Sequence, residues 1–273
     1  MIRKTVIGAA AAAAVVSGIL SGTARVKQTS AYFTDQTSKT NIYTFGDITA
    51  DGTETEWKPE KAAHLLPKET AEKNPKVVNT GMNAAVVFIV LDSPCAAGLR
   101  TAKDDGSLQD PENKELWEYL SEGETTGFEQ HWLLLETEYT DASGTVISKG
   151  ETAAPEKTAA VRRVFGYRDA LPGKNGEVMA ETEPLFQKIR ARNYVEGSVP
   201  EKTAGIQVRF LAVQAEHLSL ANGITTDLTN TKNMDAAMLR GIWDQIFAGG
   251  SLSDLPDADI ANHLDLHGQA RSA

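Results

Sequence analysis

Eight consecutive apolar residues, Ala84 to Leu91 (AAVVFIVL), constrain the fold of this chain more than any other stretch. Asn79-Thr80-Gly81 precedes the run and Ser93-Pro94 follows it, so turn-forming residues bound it on both sides. Continuous rather than alternating hydrophobicity over this length, with β-branched residues inside it, predicts a strand buried on both faces. It is the strongest core candidate in the sequence.

Other stretches between Gly, Thr, Asn and Asp clusters have strand rather than helix character. Ile42 to Ile48 (IYTFGDI) is aromatic and β-branched. Phe128 to Tyr139 leads through Asp141-Ala142-Ser143-Gly144 into Thr145-Val146-Ile147, which predicts a hairpin. Val161 to Tyr167 predicts a further strand, ended by Leu171-Pro172-Gly173. Ile206 to Leu218 begins by alternating, with Ile206, Val208 and Phe210 on one face, and then slips phase to Leu211 and Val213. That slip predicts either a bulge or a doubly buried segment.

Two segments predict inserted helices packed on the sheets. Pro111 to Ser121 (PENKELWEYLS) offers Pro at a first helical turn, and Met234 to Phe247 places Met234, Met238, Ile242, Trp243 and Ile246 on one stripe. Residues 151–160 and the tail from 250 to 273 are rich in polar and small residues and are expected to form a loop and a mobile end. The expected organisation is a signal segment at 1–31, one mostly β domain at 32–249 with helical insertions at about 95–127 and 234–247, and a tail at 250–273.

The first 31 residues look like an export signal. Arg3 and Lys4 form a positive start, Val6 to Leu20 is an uncharged Ala-rich run, and Thr29-Ser30-Ala31 offers small residues at a cleavage site. The run is short for a membrane span, although a retained N-terminal anchor is the competing reading. Cleavage between Ala31 and Tyr32 removes four basic and no acidic side chains, which moves the net charge from −10 to −14. So acidic a product argues against nucleic acid or anionic lipid as a main partner and implies no membrane association after processing. With Cys95 the only cysteine, no intramolecular disulfide can form, and the core must stand on burial alone. Cys95 reads as a buried or incidental thiol just after a strand end, or as a bridge between two chains.

The segments TSAYFTDQTSKTNIYTFGDI, Trp57-Lys58-Pro59 and LLPKETAEKNPKVVNTGMNAAVVFIVL occur in that order, followed by YRDALPGKNGEVMAETEPLFQKI and IQVRFLAVQAEHL. Together, over most of residues 30–218, they resemble the camelysin/TasA family of exported proteins of Gram-positive bacteria. The resemblance implies a jelly-roll-like antiparallel β-sandwich with inserted helices, a SipW-type signal peptide removed by a dedicated signal peptidase, and in some members extracellular biofilm fibres. It implies no cofactor. The expected partners are further copies of this chain, the signal peptidase, and an accessory protein that nucleates or anchors the fibre.

Polymerisation of this kind has a physical reading in the residues. Cleavage frees a strand-capable arm, Tyr32, Phe33, Thr34, Asp35, Gln36, Thr37, Ser38 and Lys39, and a sheet lacking one strand exposes unpaired N–H and C=O groups. A neighbour's arm would complete that edge head to tail, which does not close on itself and so gives filaments. Tyr32, Thr34, Gln36 and Ser38 would point one way and Phe33, Asp35, Thr37 and Lys39 the other, with Phe33 as anchor, since burying an aromatic ring contributes roughly 1.5–3 kcal/mol. The alternative is an arm that folds back on its own sandwich.

A zinc-dependent cell-surface endopeptidase is the alternative function, because some members of that family carry this description; a monomeric surface adhesin is the third. The five histidines, His64, His131, His217, His263 and His267, contain no H-E-x-x-H arrangement. His263 and His267 with Asp265 have ligand chemistry at helical spacing but lie in the tail, and Asp254, Asp257 and Asp259 lack the glycine and terminal Glu of a calcium loop. No metal site and no catalytic residue is therefore assigned. G-x-S-x-G and a Gly-rich phosphate loop do not occur either.

Overall fold

The apolar run forms the first half of the central strand, β5 (Ala85–Leu99), whose residues from Ala85 to Pro94 are all buried. β13 (Gln207–Gln214) pairs with one edge of β5 and β10 (Ala160–Tyr167) with the other, both antiparallel. Such a strand has water on neither face, which is why its hydrophobicity is continuous rather than alternating. The structure is a computed structural model that describes residues 34–36, 50–53, 65–150, 154–195, 205–216, 218–219 and 225–247.

Around β5 the largest sheet runs in the order β1 (Thr34–Gln36), β13, β5, β10, β8 (Trp132–Thr140) and β9 (Val146–Lys149). β6 (Glu112–Glu115) pairs with the far half of β5. Pro94 falls where β13 has ended, at Gln207 opposite Asp92, and β6 has not yet begun, at Glu115 opposite Cys95. A residue without an N–H is tolerated at such a change of partner. The strand therefore runs through Ser93-Pro94 to Leu99, eight residues past the end of the apolar run, and Cys95 lies within the strand, not after it.

A second layer consists of two three-stranded sheets. One holds β11 (Ala180–Glu181), β4 (Lys76–Asn79) and β2 (Ala50–Thr53); the other holds β3 (Thr70–Glu72), β12 (Lys188–Ala191) and β7 (Trp117–Leu120). All pairings are antiparallel, and strand accounts for 47 % of the described residues against 8 % helix, so the protein is a mostly β, antiparallel sandwich. Ile89, Leu91, Phe165 and Phe210 from the large sheet meet Val77, Trp117, Tyr119 and Ile189 from the second layer in one buried cluster. Ring contacts cross it, with centroids 4.5 Å apart for Phe128 and Phe165, 5.2 Å for Phe128 and Tyr119, and 4.8 Å for Tyr119 and Phe186. Pairs of this kind contribute about 0.5–1.5 kcal/mol each beyond their burial. β14 (Leu218–Ser219) and β15 (Thr225–Thr226) form a separate two-stranded ribbon.

The opposite face of the large sheet is covered at one end by the helix α1 (Ala236–Phe247). Trp243 meets Phe88 at 5.4 Å, and Leu239 lies where a Cβ on Gly166 would be 3.1 Å away, so glycine lets the helix approach the sheet closely. The expected stripe holds at Met234, Ile242 and Trp243, which are buried, but Leu239 takes the inward place expected of Met238, which is 39 % exposed. Toward its other end the same face carries a row of polar residues at opposed positions, Gln207, Asp92, Arg162, Glu138 and Lys149. Arg162 donates from Nε to Asp92 Oδ1 at 2.6 Å, Arg209 reaches Asp92 Oδ2 at 3.1 Å, and Lys149 meets Glu138 at 2.5 Å. A slip of one residue would turn these charges into the apolar core, so the row ties charge chemistry to register.

Of three further sequence expectations one is overturned, one is decided between its alternatives and one holds. Pro111 to Ser121 is not a helix: it forms β6 and β7, because Trp117 and Tyr119 alternate with half-buried Glu118, and pairing with β12 outweighs the helix propensity of Glu, Lys and Leu. Between Ile206 and Leu218 the doubly buried alternative holds, since β13 keeps regular register with β5 from Gln207 to Gln214. The hairpin is β8 to β9, turned by Asp141, whose carboxylate accepts from the Ser143 hydroxyl and from the Ser143 and Thr145 N–H groups. The Ser143 hydroxyl, followed by its N–H, holds this carboxyl below the usual range. Ile42 to Ile48 and the 250–273 tail lie outside the described residues.

Candidate functional site

Edges are the reactive places of a sheet, because their N–H and C=O groups lack a partner on one side. In the large sheet one outer position is β9 and the other is β1. β1 is three residues long, and it covers Val213, Ala212 and Leu211 opposite Thr34, Asp35 and Gln36. β13 is eight residues long. Among the described residues β1 thus covers only the Leu211 to Val213 part of that edge.

Of the expected arm, Thr34, Asp35 and Gln36 are in this strand, paired within the same chain. Tyr32, Phe33, Thr37, Ser38 and Lys39 lie outside the described residues, as does the cleavage position at Ala31. β13 was legible as a strand from its apolar content, but nothing in its composition marked it as the strand that receives the arm. Its inward side is well built: Val208, Phe210 and Ala212 belong to the core, and Gly52 of β2 lies so close to the Phe210 ring that a Cβ there would fall 1.9 Å from Cδ2. The second layer thus backs the edge strand directly.

Asn79 anchors the loops at one end of the sandwich. It is fully buried, its amide nitrogen donates to the carbonyls of Asn83, Leu171 and Pro172 at 2.9, 3.3 and 3.0 Å, and its Oδ1 accepts from Gly81 N at 3.1 Å. These loops are the Asn79-Thr80-Gly81 and Leu171-Pro172-Gly173 turns that the sequence marked. Lys174 N also donates to Gly81 O at 2.6 Å.

The residues weighed for chemistry are placed as follows. His131 Nδ1 sits 2.7 Å from Glu183 Oε2, with both side chains about half exposed, and the neighbouring Trp132 Nε1 donates to Glu183 O at 3.0 Å. His131 is thus a surface hydrogen-bonding partner. His64, His217, His263, His267 and Asp265 lie outside the described residues, as do Asp254, Asp257 and Asp259. Among the described residues no group of three or more His, Cys, Asp and Glu side chains could hold a metal ion. Burial, followed by the nearby Glu115 carboxylate, pushes the Cys95 thiol up to about 12, so it is held as the unreactive thiol. No described helix is long and apolar enough to cross a membrane.

Comparison with known proteins finds no matching family model, no similar curated protein and no similar solved structure.

Proposed function

We propose that this protein is a secreted structural subunit of an extracellular matrix or cell-surface fibre, assembled when the segment after Ala31 of one copy pairs with β13 of the next. The observation that carries the reading is that Thr34 to Gln36, within the segment after Ala31, form an outer strand on Val213, Ala212 and Leu211 of β13, the only part of that edge they cover among the described residues. Continuing the observed register in both directions sets Phe33 opposite Gln214 and Thr40 opposite Gln207, so an extended arm of a second copy would match the whole of β13. Residues opposed across an antiparallel pair share a face. In that register Phe33, Asp35 and Thr37 fall on the side of Ala212 and Phe210, which belongs to the core.

Exchange of an identical element between copies keeps the contacts of the closed chain and links one copy to the next. Thirteen residues separate β1 from β2, a tether of up to about 45 Å when extended, which permits the arm to leave its own domain. A retained segment of 31 residues with four positive charges would burden the arm, so cleavage also times assembly. The ordered segments that resemble the camelysin/TasA family support the same reading, with further copies, the signal peptidase and a nucleating or anchoring protein as partners.

The test is negative-stain microscopy and sedimentation of protein starting at Tyr32, of the uncleaved chain, and of a variant lacking residues 32–40. Filaments from the first alone, with the deletion variant folded and monomeric, are expected. A trimmed protein that stays monomeric at high concentration, or filaments that survive the deletion, would overturn the reading.

A further inference from the structure

Away from the β13 edge, the second layer carries a groove of about 880 Å³ whose charge runs against that of the chain. Its lining includes Lys68, Lys103, Lys114, Arg190 and Arg192, against the carboxylates of Asp104, Asp105 and Glu118. A surplus of cations in one concavity of a chain with net charge −10 is a local reversal of sign. The sequence shows its origin as alternation: in Lys188-Ile189-Arg190-Ala191-Arg192, Ile189 and Ala191 point into the core and the cations outward.

The groove is framed by backbone. Ala102 N donates to Asn193 O and Val195 N to Arg100 O, both at 2.8 Å, while Asn193 Nδ2 donates to Ala102 O at 2.8 Å. These bonds fix the 100–109 loop against the chain leaving β12, so the loop forms a wall beside the cations. Thr101, 6 % exposed, donates from Oγ1 to Gln109 Oε1 at 2.6 Å and holds that amide in the wall.

The cations are only partly neutralised: Lys114 is held by Glu112, outside the lining, at 2.9 Å. Arg190 and Arg192 share one carboxylate, with Arg190 Nη2 2.6 Å and Arg192 Nη1 3.0 Å from the two Glu118 oxygens. Lys68 meets Asp104 at 2.8 Å, but that carboxylate is 99 % exposed, and exposed pairs of this kind are readily exchanged. Lys103 has no carboxylate partner among the described residues. Guanidinium forks favour carboxylates, as Glu118 demonstrates within the groove itself.

We propose that this groove binds a linear acidic polysaccharide through its carboxylates. The modest surplus of positive charge suits a polymer bearing one charge per sugar. A densely charged phosphate polymer would instead be repelled by the acidic remainder of the protein. The lining contains no aromatic ring on which a neutral sugar would stack, so carboxylates supply the attraction. Assembly at the β13 edge and binding in this groove use different strands and are separable.

Calorimetry of the uncleaved chain, which is expected to stay monomeric, with polygalacturonate, dextran and polyphosphate tests this at low and high salt. Binding of polygalacturonate, weakened by salt and exceeding that of the other two, is expected. Lys68→Gln with Lys103→Gln lowers the affinity by roughly tenfold or more with Tm unchanged. Glu118→Gln frees both guanidiniums and tightens it, a gain that misfolding would not produce. Lys232→Gln, whose bridge to Asp169 lies elsewhere, leaves binding unchanged. Absence of polygalacturonate binding, equal or stronger binding of dextran or polyphosphate, or indifference to the Lys68 and Lys103 changes would overturn the assignment.

Discussion

Gly52→Ala is the most direct probe of how the second layer backs the edge strand. A Cβ at Gly52 would lie 1.9, 2.0 and 2.5 Å from Phe210 Cδ2, Cε2 and Cγ. Carbon atoms in contact are about 3.5–4.0 Å apart, so the methyl would stand well over 1 Å inside the ring and Phe210 would have to swing away. Phe210 is 4 % exposed and packed in the core, which leaves it little room. Overpacking of this sort costs about 1–3 kcal/mol, or about 2–4 °C of Tm per kcal/mol for a domain of this size. The reasoning also fixes a sign reversal. Phe210→Ala alone costs about 3–5 kcal/mol, but once the ring is gone Ala at position 52 has space, and a strand favours it over Gly by about 0.5–1 kcal/mol. Urea unfolding of the four members of this cycle, followed by tryptophan fluorescence, should give a coupling of roughly 2–3 kcal/mol. Equal effects of Gly52→Ala in both backgrounds would refute the packing of β2 on β13.

Three further outcomes follow from the geometry. Asn79→Ala should cost roughly 2–4 kcal/mol in urea unfolding, because it strips the amide from the Asn83 and Pro172 carbonyls and the acceptor from Gly81 N, while Leu171 O keeps Ala85 N. Arg162→Met should cost less in urea unfolding than the roughly 3–5 kcal/mol of a buried pair broken outright, because Arg209 still meets Asp92 and Lys149 still meets Glu138, and adding Arg209→Met should raise the cost by leaving Asp92 without either guanidinium. Cys95, raised from 9.0 to about 12, keeps its proton in the folded state where the unfolded chain would release it. Its contribution to stability is thus full below about pH 9 and lost as pH rises toward 12. Cys95→Ala should flatten that alkaline fall, and iodoacetamide at pH 8 should label the folded thiol roughly a thousandfold more slowly than the unfolded one.

Residues whose periodicity is set by burial were readable directly. Ala84 to Leu91, the Asp141 to Gly144 turn and the doubly buried stretch after Ile206 each follow from which faces meet water, and a single sequence carries that information. Misreadings arose where a distant partner decided. Trp117 and Tyr119 have both a helix-compatible neighbourhood and aromatic alternation, and β12, about 70 residues away, selects the strand. Pro94 looked like a terminus because sequence alone does not show the handover from β13 to β6 along one side of β5. The arm was legible as strand-capable, yet its register on Val213, Ala212 and Leu211 is a property of the fold. The cationic groove leaves only the alternation of Arg190 and Arg192 as a trace in the sequence, because its wall comes from the distant 100–109 loop.

Disulfide trapping at the arm tests the central claim most directly. Thr34 and Val213 are opposed in the observed register, and opposed Cα atoms in an antiparallel pair lie about 4.5–5.5 Å apart, within reach of a disulfide. Thr34→Cys and Val213→Cys are introduced into the mature protein with Cys95→Ala, and oxidation follows incubation under assembly conditions. The account predicts a ladder of covalent multimers on a non-reducing gel. Cross-linking confined to single chains would contradict it.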